Sequence, residues 1–85
     1  MDFRIRGEKW TLRYSRWMKK RWGWCVYSRR EIVISSVKNK TEYDHLDSAL
    51  HELLHAEFPD LKESVVHHGA TDIAWALWKI GYRKK

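Results

Sequence analysis

Between Thr41 and Gly81, apolar residues recur at intervals of three and four. The pattern breaks once, at Phe58-Pro59-Asp60, around the chain's only proline. Proline cannot continue a helix and biases the preceding residue away from helical geometry. The stretch is therefore expected to fold as two helices, over 42–57 and about 61–80. Thr41 and Asp44 have the spacing of a helix N-cap, and Asp60 followed by Glu63 repeats it for the second helix. Gly81 supplies the stop. A short connection makes the helices antiparallel neighbours. Tyr43, Leu46, Leu50, Leu53 and Ala56 or Glu57 mark the buried side of the first helix. Leu61, Val65, Val66, Gly69, Ile73, Ala76, Leu77 and Ile80 mark that of the second.

The first forty residues have a different period. Phe3, Ile5, Trp10, Leu12 and Tyr14 alternate with polar residues, as in a hairpin over about 3–15 broken at Gly7-Glu8. Residues 23–28 and 31–36 form a second antiparallel hairpin around Arg29-Arg30, with β-branched Ile32-Val33-Ile34 its strongest strand. Between them, Trp17 to Trp22 enclose Met18-Lys19-Lys20-Arg21. A small core needs large side chains, so these tryptophans are expected to fold back onto the sheet; the alternative is an aromatic and cationic surface that stacks on bases. The expected fold is α+β, a small antiparallel sheet packed on two antiparallel helices, in one domain spanning 1–85. Its division is a basic β region, 1–40, and a helical region, 41–85.

Charge follows the same division. Residues 1–40 carry twelve Lys/Arg against three Asp/Glu, and residues 41–85 carry five against eight. A basic half attracts polyanions by counterion release, so weak nucleic-acid binding through this half is expected. No apolar N-terminal segment or long uncharged run is present, which argues against secretion or a membrane partner and leads to the expectation of a cytoplasmic protein. The single cysteine, Cys25, lies in an apolar aromatic run and is expected to be a buried thiol without chemistry.

Inside the first helix stands His51-Glu52-Leu53-Leu54-His55. Residues four apart share a helix face, so the imidazoles sit one above the other with Glu52 beside them. That pair suits Zn²⁺, with Glu52 as the general base acting on a bound water. Reflecting the pair through the turn near 59–60 points to about position 66. His68 is favoured there as third ligand, ahead of His67 and Glu63. Asp72, four residues beyond His68, suits an acceptor for the distal N–H of His51. Tyr27, Tyr43 and Arg30 are candidates to stabilise an oxyanion.

Trp22-Gly23-Trp24-Cys25, Ile32-Val33-Ile34-Ser35, His51-Glu52-Leu53-Leu54-His55-Ala56 and His68-Gly69 follow one another in an order that resembles the SprT-like metallopeptidases over roughly residues 22–69. The closing Leu77 to Arg83 is similar to the end of small phage-encoded proteins of this type. The resemblance implies a minimal zincin that hydrolyses protein or peptide substrates, with zinc held by His51, His55 and His68 and with Glu52 as base. Some SprT-like relatives act on DNA-bound proteins. The chain departs from the pattern in having Asp72 where the family has an aromatic residue, and in lacking a cysteine zinc ribbon. The alternative expectation is a non-catalytic basic module, stapled by zinc, that binds nucleic acid.

Overall fold

The computed structural model describes residues 1–82, so the cationic Arg83-Lys84-Lys85 lies outside the described residues. Strands β1 (Asp2–Ile5), β2 (Glu8–Ser15), β3 (Gly23–Val26) and β4 (Glu31–Ser35) precede helices α1 (Glu42–Glu57) and α2 (Glu63–Ile80), and a single 3₁₀ turn, Tyr27–Arg29, joins β3 to β4. The class is α+β. The sheet order is β1-β2-β4-β3.

Both hairpins form. Arg6 and Gly7, each at positive φ, make the two-residue turn between paired Ile5 and Glu8, the left-handed pair that a tight hairpin of this twist requires. The sheet is nevertheless mixed rather than wholly antiparallel. After β2 the chain crosses to the far edge, lays down β3, and returns as β4 into the centre, parallel to β2 from Thr11↔Glu31 to Ser15↔Ser35. The alternation within each hairpin is local and says nothing of how the two hairpins meet.

One face of the sheet makes the core. Trp10 and Leu12 on β2, Cys25 on β3, and Ile32 and Ile34 on β4 point to the same side and pack with Ile5 against Ala49, Leu53 and Ala56 of α1. Full burial of an isoleucine such as Ile32 or Ile34 contributes about 1.5–3 kcal/mol. α1 lies on β3 and β4, and α2 lies on α1. The helices run antiparallel. Tyr43, early in α1, meets Trp75 and Trp78, late in α2, while His55 meets Glu63 at the start of α2.

Three expectations change. α2 starts at Glu63 after Lys62, which makes no side-chain cap, so Asp60 is not its N-cap; residues 58–61 instead close a turn, with Leu61 N–H donating to Phe58 O. The buried line of α2 is Val66, Ala70 and Ala74, whereas Leu61, Val65, Ile73 and Ile80 are exposed. A helix packed on one other helix gains contact by close approach, which small residues permit and a wide apolar stripe does not decide. The tryptophans around the basic cluster do not fold inward either: Trp17 is 76% exposed, and Trp22 and Trp24 are about half exposed. Trp10, one strand earlier, fills the core in their stead. Thr41 caps α1 by accepting from Asp44 N–H, and Gly81 ends α2 at positive φ. No described helix is long and apolar enough to cross a membrane.

Candidate metal centre

Three side chains converge where the two helices begin their pairing. His51 and His55, one turn apart on α1, bring their Nε2 atoms to 3.2 Å. Glu63, in the first turn of α2, spans both: His51 Nε2 lies 2.8 Å from Oε1 and His55 Nε2 lies 2.6 Å from Oε2. Among the described residues, these form the one group of three whose potential ligand atoms all fall within 4.8 Å.

The donor set fits zinc. Ligands about 2.0–2.1 Å from a tetrahedral ion stand roughly 3.3 Å apart, close to the separation of the two imidazole nitrogens. Glu63 sits nearer, at hydrogen-bond range. Its side chain is 69% exposed, so withdrawing by a few tenths of an ångström meets little resistance.

Glu52 occupies the opposite side of α1's ligand stripe. It faces the edge strand, is only 9% exposed, and has no hydrogen bond or ion pair among the described residues. Burial, with Glu63's charge adding and Arg21's opposing, pushes its carboxyl up to about 7. It rests on Gly23. A Cβ at Gly23 would stand 2.9 Å from Glu52 Cγ and 3.1 Å from Oε2, so only glycine leaves room for the carboxylate there.

A polar bracket fixes that strand edge. Asn39 donates to the carbonyls of Trp22 (2.9 Å) and Ser35 (2.6 Å) and accepts from Ser48 of α1 at 2.6 Å. Ser35 donates to Met18 O at 2.6 Å. These bonds tie the loop before β3, the end of β4 and α1 together. No local pattern marks Asn39, and Arg21 is marked only as part of the basic cluster 18–21; Gly23 is marked only by its place in the motif order that leads to H-E-x-x-H.

His68 is placed elsewhere. It is exposed on α2, its ring centroid 5.7 Å from that of His67, and it is not in the group with His51 and His55. His67 is closer, with its ring 6.2 Å from that of His51. A return of the chain at 59–60 would bring position 66 level with the pair. The connection in fact runs through Lys62, so the long side chain of α2's first residue arrives level with the pair. Asp72 is exposed, with no hydrogen bond to His51 among the described residues.

Of the three oxyanion candidates, Tyr27 alone lines the cleft. Its hydroxyl donates to His55 O at 3.0 Å, bracing α1 against the sheet. Tyr43 packs edge-on against Trp75 and Trp78, and Arg30 pairs with Glu8 at 2.6 Å, both away from the site. Arg21 also lines the cleft, its guanidinium 5.3 Å from the centre of the Trp24 ring. Cys25 is buried, which raises its thiol to about 11 and leaves it in the neutral form that lacks nucleophilic or metal-binding character at neutral pH. No family model, curated protein or solved structure matches this chain.

Proposed function

We propose that this chain is a zinc-dependent metallopeptidase in which His51, His55 and Glu63 hold the metal and Glu52 is the general base. The observation that carries the reading is the convergence of two imidazoles and a carboxylate within 4.8 Å beside a buried, partnerless glutamate one residue from a ligand. A structural zinc site is normally closed by four protein ligands and has no use for such a glutamate, whereas three ligands of this type leave a position open for chemistry. Bound there, Zn²⁺ would act as a Lewis acid toward water and the scissile carbonyl.

The chain's own residues do the rest. Glu52 accepts the proton of the attacking water and passes it to the departing amine. Gly23 gives Glu52 its place, and burial keeps that carboxylate from being solvated away from the reaction. Tyr27 holds the backbone of His55. The SprT-like motif order supports the same reaction class, with one difference: Glu63 stands where that resemblance puts His68.

The test is Glu52→Gln in purified protein loaded with zinc. The amide keeps the shape and loses the base, so metal content should stay at about one ion per chain while cleavage of casein or a peptide mixture falls by about 10²-fold or more. A Glu52→Gln protein that cuts as fast as the parent, with contaminating protease excluded, overturns the reading.

A second reading has one observation in its favour. Arg16, Arg21 and Lys38 stack at 5.1–5.3 Å on the exposed rings of Trp17, Trp24 and Trp22, a basic and aromatic rim of the kind that holds single-stranded nucleic acid. It is compatible with the first.

A further inference from the structure

The metal group stands at one end of a groove. From His51 the groove follows α1 back toward its N-terminus, past Ser48 to Asp47 and Asp44, with Trp22 and Gly23 of the sheet edge as the facing wall and a volume of about 380 Å³. That volume lies within the roughly 300–1,000 Å³ of ordinary ligand pockets.

Its charge runs against that of the molecule. The chain has seventeen Lys/Arg and a net charge of +6, yet among the described residues no lysine or arginine forms an ion pair with Asp44 or Asp47, both half-buried. Glu52, nine-tenths buried and partnerless, lines the same groove. The facing wall is an indole that already takes a cation on its ring, Lys38 Nζ at 5.3 Å from Trp22. Unpaired carboxylates along one wall and a cation-accepting aromatic on the other describe a receptor for a positively charged side chain.

We propose that this groove is the substrate channel, and that Asp44, Asp47 and Trp22 select extended peptides carrying lysine or arginine near the scissile bond. The inference rests on the peptidase reading and names its substrate class. Spacing sets the register. Asp47 and Asp44 lie four and seven residues before His51, about 6 and 10 Å along the helix axis, and an extended peptide advances about 3.3 Å per residue. The basic side chain therefore belongs two to three residues from the bond that is cut.

Bulk electrostatics predicts the opposite preference, because a chain of net charge +6 attracts acidic peptides. That contrast makes the test sharp. Two fluorescein-labelled decapeptides of equal apolar content, one with two lysines and one with two glutamates, are titrated into the purified Glu52→Gln protein, which binds without cutting. The lysine peptide should bind about tenfold tighter, the scale of two partly exposed ion pairs. The same protein with Asp44→Asn and Asp47→Asn should lose that preference. Asp44 lies in the first helical turn, so Asp47→Lys, placed mid-helix, serves as an independent variant and should reverse the preference. Equal binding of the two peptides, a preference for glutamate, or a lysine preference that survives both variants overturns the proposal. Cleavage of a peptide mixture by the parent is read separately. Cuts with no enrichment of Lys or Arg within three residues sink the channel and leave the peptidase. A lysine preference in binding without any cutting sinks the peptidase and its substrate channel together, leaving a peptide-binding groove.

Discussion

The acidic groove and the cationic, tryptophan-bearing rim at residues 16–24 meet at Trp22 and Gly23, yet their side chains are held by different forces. In the groove, three groups are placed by burial or by directional contacts: Glu52 against Gly23, Glu63 across two imidazoles, Ser48 on Asn39. On the rim, cations lie over exposed rings, with Trp17 76% exposed. Such stacks contribute about 0.5–1 kcal/mol each in water and are screened by salt. The lesson is one of response. A half-buried site fails when one atom is misplaced, whereas a solvated charged surface loses its effect gradually, one residue at a time.

The largest effect should come from Glu63, the third member of the proposed metal group. Glu63→Ala should weaken zinc binding by more than the roughly 10–100-fold that outer-sphere partners are worth, with a matching loss of thermal stability because metal binding is coupled to folding. His68→Ala should leave both unchanged. Metal content by elemental analysis and melting with and without chelator decide between them. Loss of zinc in His68→Ala and retention in Glu63→Ala would return the ligand set to that of the SprT-like pattern.

A smaller effect is expected on the groove's other wall. Gly23→Ala puts a methyl group 2.9 Å from Glu52 Cγ, so the carboxylate must move. Displacement of a catalytic group by about 1 Å can cost on the order of 10²-fold. Cleavage should therefore fall by up to that factor while zinc content holds. Unchanged turnover in a folded Gly23→Ala protein would mean that the close packing of Glu52 is without consequence for chemistry.

The smallest single-residue effects belong to the rim. Binding of a single-stranded oligonucleotide should weaken steeply as salt rises, and Arg21→Ala should reduce the magnitude of the salt slope by about 1. Folding stability should change by no more than about 0.5 kcal/mol, as for an ordinary surface substitution. Fluorescence titrations at several ionic strengths read both slope and affinity. Salt-independent binding, or none at low ionic strength, would remove the rim as a polyanion surface and leave the groove as the one charged surface with a specific role.

Much of the secondary structure is legible from neighbours in sequence. The limits of α1, the Thr41 cap, the Gly81 stop and the two hairpins depend on residues within a few positions of one another, and the pairing of His51 with His55 follows from helical geometry alone. α2 shows where this ends. Its apolar residues suggest a broad buried stripe, but the face that packs is Val66, Ala70 and Ala74, chosen by how near α1 can come. The exposure of Trp17, Trp22 and Trp24 has the same origin: the core volume was already filled by Trp10, Leu12, Ile32 and Ile34, and that is a property of the assembled sheet.

The sequence by itself determined an α+β chain with a basic strand half, two helices, the first capped by Thr41 and the second stopped by Gly81, and on the first of them two histidines and a glutamate at the spacing that hydrolytic zinc sites use. Only the tertiary structure decided that the sheet is mixed, that Glu63 rather than His68 reaches the histidines, that Gly23 makes room for Glu52, and that Asp44 and Asp47 continue the site as a groove. The division has a physical reason. Helix periods, caps and tight turns are set by interactions over a few residues, whose geometry the covalent chain nearly fixes. The third ligand and the groove wall depend on where a five-residue connection and a crossover strand bring distant segments, and there one turn of helix, about 5 Å, separates one ligand set from another.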